Sequence, residues 1–107
     1  RTRGLIGEDQ LALMKPDSAL INTSRGPIVD WRALLKALDK GWLGGAAIDV
    51  FDEEPLPADH PMRASDRLLL TPHIGYVTRE TLHVFHTQTV EAVLAWLEGA
   101  PIRTIAP

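Results

Sequence analysis

Apolar and polar positions alternate along this chain between helical and extended periods. Glu8 to Met14 carries good helix formers led by acidic residues and stops before Lys15-Pro16, where proline disfavours helical dihedrals in its predecessor, so a short helix is predicted. Ala19-Leu20-Ile21-Asn22-Thr23 is a mostly apolar run ended by Ser24-Arg25-Gly26-Pro27, the pattern of a buried strand followed by a turn. From Trp31 to Lys40, Leu34, Leu35 and Leu38 recur at helical spacing; Asp30 is placed to cap the start and Gly41 to close the end in the left-handed conformation. Gly44 to Phe51 reads as a second buried strand whose small residues would admit a neighbouring helix at close range. A proline-bearing connection through Asp66 follows, long enough to suggest a functional loop. Leu68-Leu69-Leu70-Thr71 is a third apolar run, stopped by Pro72-His73-Ile74-Gly75. Thr78 to Glu98 puts Leu82, Phe85, Thr89, Val93 and Trp96 on one stripe, widened by Val90, Leu94 and Leu97, and Gly99 closes this amphipathic helix before a short tail.

Helix, strand, helix, strand, loop, strand, helix is the rhythm of an α/β fold, with parallel strands because each crossover has helical or long-loop length. Three strands make a thin sheet, and no opening strand with a glycine-rich turn precedes the first helix, so the expectation is an incomplete part of a larger domain. The 107 residues carry 11 basic and 14 acidic side chains, a net charge of −3 that gives no footprint for nucleic acid. Cysteine is absent, which excludes disulfides, thiolate zinc sites and cysteine nucleophiles, and fits a reducing cytoplasm. Arg1-Thr2-Arg3-Gly4 has no hydrophobic signal core, so a soluble, unexported chain without a membrane partner is expected. His83 and His86 stand three apart on the last helix with no third ligand at a supporting spacing, so no metal site is expected.

In open α/β sheets ligands bind beyond the carboxyl ends of the strands. The first strand delivers Ser24-Arg25-Gly26, the second holds Asp49 and leads to Glu54, and the third delivers His73-Ile74-Gly75. Arg25 can grip a carboxylate through its planar fork, with Gly26 letting a substrate approach the backbone; the alternative is a solvated turn arginine. His73 could give or take a proton, yet a lone histidine there also suits a structural role. Glu54 belongs to the acidic loop Asp52-Glu53-Glu54, where solvated charge is the default reading. Were Glu54 to meet His73, the carboxylate would orient the ring and favour its charged form. Asp49 lies inside an apolar run, where a charge needs a partner: a backbone amide or helix start on a structural reading, a ligand amide on a functional one.

Leu20-Ile21-Asn22-Thr23-Ser24-Arg25-Gly26, Gly45-Ala46-Ala47-Ile48-Asp49-Val50-Phe51 with Glu54-Pro55, and Leu70-Thr71-Pro72-His73-Ile74-Gly75 strongly resemble the D-isomer-specific 2-hydroxyacid dehydrogenases. The resemblance covers nearly the whole chain. It implies the C-terminal part of a Rossmann-type parallel sheet with flanking helices, an incomplete domain in which residues 1–77 complete an NAD(P)-binding domain. Residues 78–107 would be a long helix and tail returning toward a substrate domain. It further implies an oxidoreductase that transfers a hydride between NAD or NADP and a small 2-oxo or 2-hydroxy acid, commonly as a homodimer, with this stretch expected to be inactive by itself. By the motif match, Arg25 would hold the substrate carboxylate and carbonyl, His73 would be the acid, and Glu54 would keep His73 charged. Thr23, Ser24, Arg25, Asp49, His73 and Gly75 would line the cofactor, Asp49 at the nicotinamide and Gly75 close to its ring. Formate dehydrogenases of this group carry glutamine at the position of Glu54, so the glutamate points to proton-coupled hydroxy-acid chemistry. No Gly-x-Gly-x-x-Gly turn and no residue selecting NAD or NADP is present. Some relatives of the fold are nucleotide-sensing corepressors, so a non-catalytic binding module is the alternative.

Overall fold

The computed structural model describes residues 2–105, which form two compact units divided after Gly75. In the first, strands β1 (Ala19–Asn22), β2 (Gly45–Ile48) and β3 (Leu68–Leu70) make a parallel sheet in the order β1-β2-β3. Helices α1 (Glu8–Leu11) and α2 (Trp31–Asp39) and two 3-10 turns, Gly26–Ile28 and Pro61–Ala64, complete it. The α1 helix is shorter than its sequence pattern predicts. After Leu11 the chain tightens into i→i+3 bonds, Leu13 N to Gln10 O and Met14 N to Leu11 O, and then meets Pro16.

The α2 helix forms where its caps dictate. Asp30 Oδ1 accepts from the amides of Arg32 (2.9 Å) and Ala33 (3.2 Å), satisfying two orphan donors of the first turn. Gly41 sits at φ +67°, and the amides of Gly41 and Trp42 donate to Leu38 O and Ala37 O in a Schellman close. Ala33, Leu34, Ala37 and Leu38 are buried at helical spacing and pack with Leu11, Leu43 and Met62 into one core.

Pairing sets the faces of the sheet. Leu20, Ala46 and Leu68 align in one row and Asn22, Ile48 and Leu70 in another, and the core lies against these rows. The alternate row Ile21, Ala47 and Leu69 points away, with Ile21 72% and Leu69 65% exposed. The predicted burial of both strand faces is therefore met on one face among the described residues. Of the small residues expected to admit a helix, Ala46 lies in the core with Ala33, Leu34, Ala37 and Leu38 of α2, whereas Gly44 and Gly45 meet backbone. A Cβ at Gly44 would lie 3.2 Å from Pro16 O, and one at Gly45 would lie 3.3 Å from Arg67 O.

The second unit holds helix α3 (Arg79–Leu97), capped by Thr78, whose hydroxyl accepts from Thr81 N, and closed by Gly99 at φ +74°. None of its residues is buried. Its apolar side chains do not confine themselves to the predicted stripe, for Val84 stands about 200° around the helix from Leu82. Among the described residues, no helix is long and apolar enough to cross a membrane.

Candidate active site

The carboxyl ends of β1, β2 and β3 converge on one edge, and the sequence places a different polar device at each. β1 ends in Asn22, a buried polar residue whose side chain turns back on its own loop. Its Oδ1 accepts from Ser24 N (3.1 Å) and its Nδ2 donates to Arg25 O (3.0 Å). This Asx brace fixes the backbone that carries Thr23, Ser24 and Arg25, all exposed. The Arg25 guanidinium donates through Nη1 to Ser24 O (2.7 Å). Gly26 follows for a structural reason: a Cβ there would lie 2.1 Å from Phe51 C and 2.4 Å from Phe51 O. The expectation that this glycine serves substrate approach is corrected, since its missing side chain admits the chain that leads to Glu54.

Asp49, at the end of β2, is 5% exposed and fully engaged by the loop after β3. Oδ1 accepts from the Thr71 hydroxyl and from Ile74 N (2.9 Å), and Oδ2 accepts from Gly75 N (2.8 Å). The Thr71 bond and the two amides hold its carboxyl below the usual aspartate value, against the opposing effect of burial. Its structural partners are thus the backbone amides foreseen on the structural reading. The clamp also accounts for His73, a non-glycine residue at φ +56°. Left-handed backbone is uncommon outside glycine and persists where neighbours over-determine it. Here His73 N donates to Thr71 O (3.1 Å), while the next two amides are both gripped by Asp49.

Glu54 reaches from the β2–β3 connection to the same loop. Its Oε2 lies 2.7 Å from His73 Nδ1, and its Oε1 accepts from Phe51 N (2.9 Å). Both oxygens are occupied, and the side chain is directed by its own main chain on one side and by the imidazole on the other. The His73 bond first, then the Phe51 amide, hold the Glu54 carboxyl below the ordinary glutamate value, and the positive charge of Arg25 acts in the same direction. The structure brings Glu54 and His73 into direct contact. Arg25 stands on the neighbouring strand end with its charge felt at Glu54.

The sequence-predicted cofactor residues are grouped by the same ends. A Cβ at Gly75 would lie 3.0 Å from Asp49 Oδ2 and 3.8 Å from Thr23 Cγ2, so Gly75, Asp49 and Thr23 border one spot that a side chain would fill. Two contributors were not singled out in the sequence, Asn22 and Thr71. Asn22 had a usable signal, an asparagine at the end of an apolar run and just before a turn; Thr71 had none. Of the other histidines, His60 accepts Met62 N at Nδ1 (3.3 Å) and packs edge-on to Trp31 at 4.5 Å, while His83 and His86 lie exposed on α3. Among the described residues, no group of three or more histidine or acidic side chains is placed to hold a metal.

Comparison with known proteins bears on this arrangement. Residues 1–75 match the family described as D-isomer specific 2-hydroxyacid dehydrogenase, NAD binding domain. The chain is 48% identical over 98 residues to a glyoxylate reductase of Aeropyrum pernix, covering 92% of this chain and 29% of that reductase. It superposes with a TM-score of 0.81 on D-lactate dehydrogenase with NAD+ from Lactobacillus jensenii, at 29% identity, over 99% of this chain and 36% of the other. A D-isomer specific 2-hydroxyacid dehydrogenase of Xanthobacter autotrophicus, solved with NADPH, gives a TM-score of 0.69 at 36% identity, over 99% and 43%. The chain thus spans about a third of the length of such relatives. With the family pattern running through β1, β2 and the loop that ends at Gly75, the chain belongs to the D-isomer specific 2-hydroxyacid dehydrogenases.

Proposed function

We propose that the protein containing this chain is an oxidoreductase that interconverts a small 2-oxo acid and its 2-hydroxy acid, using NAD or NADP. The observation that carries the reading is the 2.7 Å contact between Glu54 and His73 at the carboxyl edge of a parallel sheet. A dinucleotide fits the residues present. Thr23, Asp49 and Gly75 border one spot, and Asp49 Oδ2, which accepts a single bond from Gly75 N, has further lone-pair capacity to accept from a ring amide. When bound, the nicotinamide supplies or receives the hydride.

The side chains of this protein do the remaining work. Arg25 binds the substrate carboxylate through its guanidinium fork and draws negative charge on the carbonyl oxygen toward itself. His73, with Nδ1 committed to Glu54, gives a proton from Nε2 to that oxygen during reduction and takes it back during oxidation. Glu54 orients the ring and stabilises its charged form through the transfer. Residues 1–77 then belong to the cofactor-binding domain and residues 78–107 return toward the substrate domain.

The test is turnover by the full-length protein, followed as loss of reduced-nicotinamide absorbance with glyoxylate and with hydroxypyruvate. The expected result is turnover with one or both, and an Arg25→Ala variant with raised KM and lowered kcat. Tight nucleotide binding without turnover of any 2-oxo acid would favour a nucleotide-sensing module instead.

A further inference from the structure

The segment that delivers Glu54 has no regular structure between Phe51 and the 3-10 turn at Pro61–Ala64, yet its carboxylate must be held to within a hydrogen bond of His73. On the upstream side the chain is fixed by its close approach to Gly26 and by the Phe51 amide. On the downstream side one side chain spans the gap. Arg63 Nε donates to Pro57 O (2.8 Å) and Arg63 Nη2 donates to Leu56 O (2.7 Å). Pro57 O also accepts from His60 N (3.2 Å), and His60 O accepts from Arg63 N (2.9 Å), so the loop is closed at its neck by Arg63. The turn that carries Arg63 is seated by buried Met62 and capped by His60. Arg63 lines the same cleft as Glu54, Phe51, Leu70, Thr71 and His73.

We propose that Arg63 is a positioning residue for the Glu54–His73 pair: by gripping two consecutive carbonyls, it fixes the chain two residues beyond Glu54 and so holds the carboxylate against the imidazole. Leu56 is buried in the same segment, but apolar packing carries little directional penalty, whereas a planar fork on two carbonyls sets both position and orientation. A lysine at this position retains the charge and loses the fork. The catalytic meaning of this grip rests on the function proposed above; the grip itself does not.

The experiment is an NMR titration of the full-length protein without cofactor or substrate, comparing the original protein with Arg63→Lys and Arg63→Met. It follows the side-chain carboxyl of Glu54 and amide exchange at Phe51. In both variants the Glu54 midpoint is expected to rise toward the ordinary glutamate value and protection of the Phe51 amide to be lost, while Leu34 and Leu38 amides stay protected. Unchanged Glu54 and Phe51 signals in both variants would overturn the proposal. So would an Arg63→Lys variant that behaves as the original while Arg63→Met does not, because charge alone would then suffice. Should Arg63→Met fail to fold, the lysine variant decides the question. In the full-length protein, Arg63→Lys is expected to lower kcat roughly 10–100-fold, the cost of a small misplacement, with KM for the acid unchanged. Absence of turnover in the unsubstituted protein would remove the functional reading and leave the titration to judge Arg63.

Discussion

Gly26→Ala is the substitution whose cost the geometry states most directly. The added methyl carbon would lie 2.1 Å from Phe51 C, 2.4 Å from Phe51 O and 2.5 Å from Asp52 N, where ordinary contact begins at 3.4 Å. All three atoms are backbone, so no side chain can rotate away, and relief requires the two segments to separate by about 1.3 Å, the difference between 3.4 and 2.1 Å. Overpacking of this kind costs about 1–3 kcal/mol. For a unit of this size each kcal/mol lowers Tm by about 4–8 °C, so a fall of at least about 4 °C is expected by circular dichroism. The displaced strand end also carries the Phe51 amide that directs Glu54, so the Glu54 carboxyl should titrate closer to its ordinary value in the same variant. Gly7→Ala is the control, since its Cβ would meet nothing nearer than Gln10 Oε1 at 3.6 Å. A Gly26→Ala protein that melts with the original would refute the reasoning.

Asp49→Asn replaces one acceptor oxygen by a donor facing an amide, and the expected outcome is faster hydrogen exchange at Ile74 and Gly75 with β1 and β2 amides unchanged; equal exchange would contradict the clamp. The pH dependence of stability follows from Asp49 and Glu54, whose folded-state pKa values both lie below their unfolded ones. Their contribution is present in full above the unfolded values, 3.8 and 4.5, and is lost as pH falls through the folded ones. Urea midpoints should therefore decline on acidification below about pH 4.5 and not above it as far as these groups are concerned, and Glu54→Gln should flatten part of that decline. Leu34→Ala empties a fully buried site under the sheet and should cost about 2–5 kcal/mol in the same denaturation, with a change under 1 kcal/mol arguing against this core.

Much of this arrangement was legible in the sequence, for reasons that differ from residue to residue. Asp30 and Gly41 marked the ends of α2 because capping and left-handed closure are local chemistry. Asp49 stood out as a charge within an apolar run, although its partners, amides 25 and 26 residues away, are set by tertiary structure. Glu54 looked like one of three solvated acids until a parallel sheet brought the loop beside His73. The 3-10 turns at Gly26–Ile28 and Pro61–Ala64 escaped because three or four residues carry no period. Periodicity also reveals which residues share a face without revealing what covers it. That is why Ile21 and Leu69, and the whole of α3, are more exposed than their apolar pattern predicts.

The central claim is that Glu54 acts through His73 on a proton exchanged with substrate, and a double-mutant cycle on turnover by the full-length protein tests it most directly. His73→Asn is expected to lower kcat by roughly 10²–10⁴-fold, the usual contribution of a positioned acid, and Glu54→Gln by less. In the His73→Asn background, Glu54→Gln should have almost no further effect, since the group it orients is gone. Independent, multiplying losses from the two substitutions, or full turnover in His73→Asn, would contradict the claim.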